Sequence, residues 1–110
     1  MSSTNRGQPS LNHEFYATPA WALDRLLEEI GDDLPQGIWL EPTAGDGSLV
    51  RALLVAHGEG RADFGVLTAN ELDPERAATC GESVPTTCGD FHDIDVGERE
   101  ADVIITNPHF

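Results

Sequence analysis

Lysine is absent from this chain of 110 residues. Six arginines are its whole permanent basic complement, against 20 acidic residues, and the formal net charge is −14. Phosphate contacts supply most of the affinity of a nucleic-acid binder, so a domain that grips nucleic acid unaided should carry a basic patch. This composition excludes one. Any such contact must use basic surface outside this chain, or the acidity serves solubility at high salt or a basic partner. No segment approaches the roughly 18–20 apolar residues of a membrane span, so no membrane contact is expected. The first dozen residues lack the apolar region of a secretory signal, and the expected compartment is the cytoplasm. Cysteine is scarce as well. Cys80 and Cys88, with seven residues between them, fit neither a CxxC pair nor a zinc spacing. They are expected to be buried or half-buried thiols in a reducing compartment. His13, His57, His92 and His109 show no paired spacing, so no metal site is expected.

What is present is an alternation of helical and strand patterns. Residues 1–14 read as a disordered polar leader, and residues 15–110 as one folded unit. A helix should open at Thr18-Pro19, with Thr as N-cap and Pro in the first turn. Leu23, Leu26, Leu27 and Ile30 then form an amphipathic stripe, and Gly31 stands where a C′ glycine belongs. Gly37 to Glu41 is an apolar strand without alternation, as in a strand buried on both faces. A glycine-rich turn leads into a helix over Leu49 to His57, and a second strand runs from Phe64 to Asn70. Asp73-Pro74 opens a helix that lasts to Gly81, followed by a weaker strand over Val84 to Cys88. His92 to Glu100 is a polar loop, and Asp102 to Thr106 is a last strand with Val103, Ile104 and Ile105 as a buried run. Strands that alternate with helices imply an α/β fold with a parallel sheet. In such a sheet the turns after each strand line one edge, where ligands bind.

Four features fall at those turns. The first is Glu41-Pro42-Thr43-Ala44-Gly45-Asp46-Gly47, where glycine permits a tight turn and a close backbone approach to a ligand. Val50 occupies the place of the third glycine in a dinucleotide fingerprint, which disfavours a nicotinamide or flavin dinucleotide. The second is Glu71, an acid at the end of a strand, suited to accept from two ribose hydroxyls. The third is Asp90-Phe91, a carboxylate for an adenine amino group beside a ring that can pack on the base. The fourth is Asn107-Pro108-His109-Phe110. The side-chain oxygen of Asn107 and the carbonyl of Pro108 can accept the two hydrogens of an aromatic amine and return lone-pair density to its nitrogen. Phe110 can stack on a flipped base. Each feature alone is also what an ordinary turn looks like; the weight lies in their order along one sheet edge.

In that order the chain resembles the S-adenosylmethionine-dependent amino-methyltransferases, especially the N6-adenine DNA methyltransferases. The resemblance covers about Phe15 to Phe110. It implies a Rossmann-like class I methyltransferase fold. It implies that Tyr16, Thr18 and Pro19 help hold the methionine end of S-adenosylmethionine. It assigns Glu41, Pro42, Gly45 and Gly47 to the cofactor turn, Glu71 to the ribose, and Asp90 and Phe91 to the adenine. It makes Asn107, Pro108 and Phe110 the catalytic residues. His109 stands where the family has a second Pro. The family's sheet has seven strands, and this sequence carries about four strand patterns, the first half of such a domain. The implied activity is adenine N6 methylation in DNA, with DNA contacted through regions missing from this chain, and with the chain alone inactive. Methylation of RNA or of a protein glutamine fits the same motif. A non-catalytic acidic binding module is the alternative from another class.

Overall fold

The computed structural model describes residues 19–93 and 101–107. Helix α1 spans Ala20–Ile30, α2 spans Ser48–Gly58 and α3 spans Pro74–Gly81. Strands β1 to β4 are Ile38–Glu41, Val66–Glu71, Thr86–Cys88 and Val103–Ile104. All pairings are parallel, and the strand order is β3-β2-β1-β4. The class is α/β, with helices packed on an all-parallel sheet. The chain steps outward from β1 to β2 to β3, then returns to the far side of β1 for β4.

The helices form where the pattern asks for them, with local differences. Pro19 takes the N-cap position of α1 in an extended conformation, one residue later than expected, and its carbonyl accepts from the Ala22 amide at 3.0 Å. Leu23 and Leu27 are buried, whereas Leu26 and Ile30 are 38% and 40% exposed. The stripe is narrower than its sequence, since only Leu23 and Leu27 of α1 join the core. Gly31 does not take the left-handed C′ conformation: its φ is −56°, and the chain runs on into a 3₁₀ turn over Gly31–Asp33. Its amide still donates to Leu27, so the helical ladder continues where a break was expected. The start of α3 is as expected. Asp73 accepts from the Arg76 amide at 3.0 Å, and Pro74 occupies the first turn, where no amide is needed.

Residues from all three helices meet one face of the sheet. Leu23, Leu27, Leu49, Val50, Leu53, Ala56 and Cys80 pack with Trp39, Leu67, Ala69, Val103 and Ile105. These strand residues alternate along their strands, so the period-2 geometry sets them on a common side. Leu40, Val66 and Ile104 belong to the other side. Leu40 is buried between two neighbouring strands, but Val66 and Ile104 are each 47% exposed. The expected buried run Val103-Ile104-Ile105 is therefore half right: Ile104 points away from the packed helices.

The strands are also shorter than their apolar patterns. Phe64 leaves the sheet to pack in the core, with its ring 5.4 Å from Trp39 and 4.3 Å from His57. Pairing then begins as the amides of Gly65 and Val66 both donate to the Gly37 carbonyl. Val84 spends its amide on Cys80 at the end of α3, so β3 opens only at Thr86. At the start of β4, the Asp102 carboxylate accepts from the Ile38 amide at 2.8 Å while its own amide donates to the Ile38 carbonyl. A side chain thus stands in for a rung of the ladder. Cys80 is buried as expected, but Cys88 is exposed at the end of the outermost strand, with its thiol 3.5 Å from the Leu72 carbonyl. Among the described residues no helix is long and apolar enough to cross a membrane.

Candidate functional site

A parallel sheet puts the carboxyl ends of all its strands along one edge, and a ligand crevice forms where the strand order reverses. Here the reversal lies between β1 and β4. Glu41 ends β1, Glu71 ends β2, and Thr106 and Asn107 follow β4. The pairing of Glu41 with Ala69 sets Glu41 and Glu71 on the same side as Trp39 and Leu67, the side that packs against the helices. Both carboxylates are consequently buried, at 1% and 7% exposure. Buried charges of this kind are rare without a structural or chemical reason.

Glu71 has a structural reason. One oxygen accepts from the Gly45 amide at 2.7 Å, and the other from the Asp73 amide at 2.8 Å. It ties the turn after β1 to the turn after β2. Its expected role toward ribose hydroxyls is compatible with this, because each carboxylate oxygen can accept a second bond.

The turn between β1 and α2 is held from several sides. Gly45 and Gly47 have φ of 62° and 92°, in the left-handed region that glycine adopts without steric cost. A Cβ at Gly47 would stand 3.1 Å from Nη1 of Arg51 and 3.5 Å from the Cys80 thiol, so the turn is also crowded there. Asp46 accepts from the Ser48 amide and hydroxyl at 3.0 and 2.6 Å, which fixes the entry to α2. Asn70 completes the frame. Its side-chain nitrogen donates to the carbonyls of Pro42 and Gly89, at 3.1 and 2.9 Å, and its oxygen accepts from the Thr87 hydroxyl at 2.8 Å. One buried amide thus stitches the ends of β1, β2 and β3.

Glu41 is different. Its Oε1 accepts from the Thr43 amide at 2.7 Å, the Thr43 hydroxyl at 3.2 Å and the Thr106 hydroxyl at 3.0 Å. The two hydroxyls are also 2.8 Å from one another, which joins the turn to the residue before Asn107. Its Oε2 is buried with no hydrogen-bond partner. Burial is the main cause that pushes the Glu41 carboxyl up to about 7, against the lowering effect of the threonine bonds and with a smaller push from Glu71.

The raised proton affinity has a consequence for stability. Glu41 binds its proton more tightly in the fold than in the unfolded chain, whose ordinary value is 4.5. Its contribution is therefore full below pH 4.5 and is lost as pH rises through about 7. The loss amounts to about 3 kcal/mol, because each tenfold change in proton affinity is worth roughly 1.4 kcal/mol. Glu41→Gln carries no such loss. Urea unfolding of both proteins is expected to show the variant gaining on the wild type by about that amount between pH 4.5 and 8. Parallel pH profiles would contradict the buried, proton-holding state.

Of the residues expected at the site, the structure joins Glu41, Pro42, Gly45, Gly47 and Glu71 directly, and Asn107 follows Thr106 at the same edge. Asp90 and Phe91 come after β3, anchored through the Gly89 amide, which donates to the Glu71 carbonyl at 3.1 Å. Asp90 is exposed and engaged locally. One oxygen accepts from the His92 amide at 2.9 Å and lies 2.8 Å from Nδ1 of His92, and these bonds hold its carboxyl below the usual range. Phe91 is half-buried in a 3₁₀ turn over Phe91–Asp93. Pro19 is exposed at the head of α1, and among the described residues no hydrogen bond joins it to the strand ends. Tyr16, Thr18, Pro108, His109 and Phe110 lie outside the described residues. Sequence reasoning missed Thr43, Asn70 and Thr106. The available signal was position: each is a polar residue within two places of a strand's carboxyl end. Among the described residues no group of three or more His, Cys, Asp or Glu gathers as a metal site.

Neither a family model nor a curated protein matches this chain.

Proposed function

We propose that this chain is part of a Rossmann-like, S-adenosylmethionine-dependent methyltransferase that acts on the N6 amino group of adenine in DNA. The observation that carries the reading is the convergence of Glu41, Gly45, Gly47, Glu71 and Asn107 on the switch-point edge of a parallel sheet ordered β3-β2-β1-β4. The residues fit the cofactor's chemistry. S-adenosylmethionine brings an ammonium and a sulfonium, and Glu41 offers a buried carboxyl oxygen without a partner. The ribose brings two hydroxyls, and both oxygens of Glu71 retain acceptor capacity. The left-handed backbone of Gly45 and Gly47 forms the tight turn that this reading sets against the cofactor.

The cofactor, when bound, supplies an activated methyl group. The chain's own residues orient and release. Asn107, with Pro108 after it, accepts the hydrogens of the target amine and frees its lone pair, and Phe110 supports the base. The net charge of −14 leaves DNA binding to basic surface supplied outside this chain. The family's sheet has seven strands against four among the described residues, so transfer itself requires further strands.

Ligand choice tests the proposal. S-adenosylmethionine or S-adenosylhomocysteine at 100 times its Kd should stabilise the chain by about 2.7 kcal/mol, a rise in Tm of roughly 10–20 °C for a domain near this size. Nicotinamide and flavin dinucleotides should leave the Tm unchanged. Stabilisation by a dinucleotide, with none by either methionine nucleoside, would reject the reading.

A further inference from the structure

The buried carboxyl of Glu41 poses a question that the cofactor assignment alone does not answer. Three donor groups converge on one of its oxygens, and none on the other. An ionised carboxylate would leave a full lone-pair set of Oε2 unsatisfied in a site shielded from water. A proton on Oε2 removes the charge yet leaves a donor without an acceptor. Neither state is satisfied in the free protein; a cationic donor beside Oε2 satisfies the ionised one.

We propose that Glu41 carries a proton on Oε2 in the free protein and exchanges it for the ammonium of the cofactor's amino-acid moiety, so that binding releases a proton to solvent. This rests on the cofactor reading above. The exchange balances: the O–H bond of Glu41 breaks, the proton leaves to water, and an N–H of the incoming ammonium donates to the vacated oxygen. One positive charge replaces another, so the buried site bears the same net charge before and after. The surroundings favour this. Thr43 in the turn and Thr106 after β4 are neutral groups that face Oε1, and their hydroxyls also lie 2.8 Å from one another. Glu71 at the end of β2 is the facing charge, and it raises the proton affinity of Glu41. From α3 comes the Cys80 thiol, pushed up by burial and so neutral. Arg51 on α2 is turned to the Asp46 carbonyl at 2.9 Å. Among these groups no cation bonds to Glu41, and the ligand supplies the missing one.

The test is made on the full chain with S-adenosylhomocysteine, which carries the ammonium and is chemically stable. Calorimetry at one pH in buffers of different ionisation heat measures the protons released. The expected release is about 0.9 at pH 6 and about 0.1 at pH 8, and affinity should tighten roughly tenfold with each step of one in pH up to about 7. Carbon NMR of the ligand-free chain should show the Glu41 carboxyl titrating near 7. Once ligand is bound, the carboxyl should stay ionised down to at least about pH 5. Glu41→Gln should bind more weakly, with no proton release. If that variant fails to fold, the two wild-type measurements still decide. Saturable binding with identical heats in all buffers, or a free carboxyl titrating near 4.5, overturns the exchange and leaves the cofactor reading in place. Absence of binding at every pH overturns both.

Discussion

Glu71→Ala is expected to cost the fold about 2–6 kcal/mol and to weaken cofactor binding by about 1–3 kcal/mol. The carboxylate of Glu71 is the acceptor for the amides of Gly45 and Asp73, at 2.7 and 2.8 Å, and it is buried. Truncation strands both amides, and a buried donor without a partner costs about 1–3 kcal/mol. The turn over Gly45 and Gly47 then loses one of its anchors, and the acceptor that the proposed function assigns to the ribose goes with it. Glu71→Gln separates the two effects, because its single carbonyl oxygen keeps one amide bond while its nitrogen faces the other. It should unfold at an intermediate urea concentration. Urea midpoints for the two variants, with calorimetric titration of S-adenosylmethionine, check both halves. An alanine variant as stable as the wild type would remove Glu71 from the frame of the site.

Asn107→Ala is expected to lower methyl transfer by at least about 100-fold in an enzyme containing this domain, with cofactor affinity unchanged. Removal of one preorganised polar group that acts on the reacting atoms typically costs this much. Asn107 is exposed at the site edge, one residue beyond Thr106, and the described bonds to Glu41 and the turn are made by Thr106. Its loss should therefore leave the cofactor turn intact. Thr106→Ala should behave oppositely, weakening cofactor binding through Glu41. Transfer of tritiated methyl groups to adenine-containing duplexes measures the first effect, and calorimetry the second. Transfer at the normal rate by the Asn107 variant would refute its catalytic role.

Much of the fold was legible because its signals are local. Asp73-Pro74 announces a helix through its own cap and missing amide, and the cap bond to Arg76 is in place. The apolar blocks around Trp39 and Val103 announced strands, and their alternation with helices announced a parallel sheet. What escaped depends on which other element lies opposite. Ile104 has the same character as Val103 and Ile105, yet only those two meet the helix-covered face. Gly31 was expected to break α1, but the Leu27 carbonyl was available to its amide and the helix tightened instead. The site shows the same division. Glu41, Gly45, Gly47 and Glu71 stood out by type and place in the order of strands. That Glu71 reaches the Gly45 amide, and that Asn70 binds three strand ends, follows from contacts between residues 17 to 28 positions apart. A linear pattern does not carry those. The half-satisfied carboxyl of Glu41 is of this kind too, since one of its donors, Thr106, comes from 65 residues away.

The claim that the switch-point edge is a methionine-nucleoside site is tested most directly by mapping ligand onto the backbone. Amide resonances of the isotope-labelled chain would be followed during titration with S-adenosylhomocysteine. Saturable shifts should concentrate at Thr43, Gly45 and Gly47, at Glu71 and Leu72, and at Thr106 and Asn107, with α1 unmoved. Absence of saturable shifts at millimolar ligand, or shifts confined to residues away from these strand ends, would contradict it.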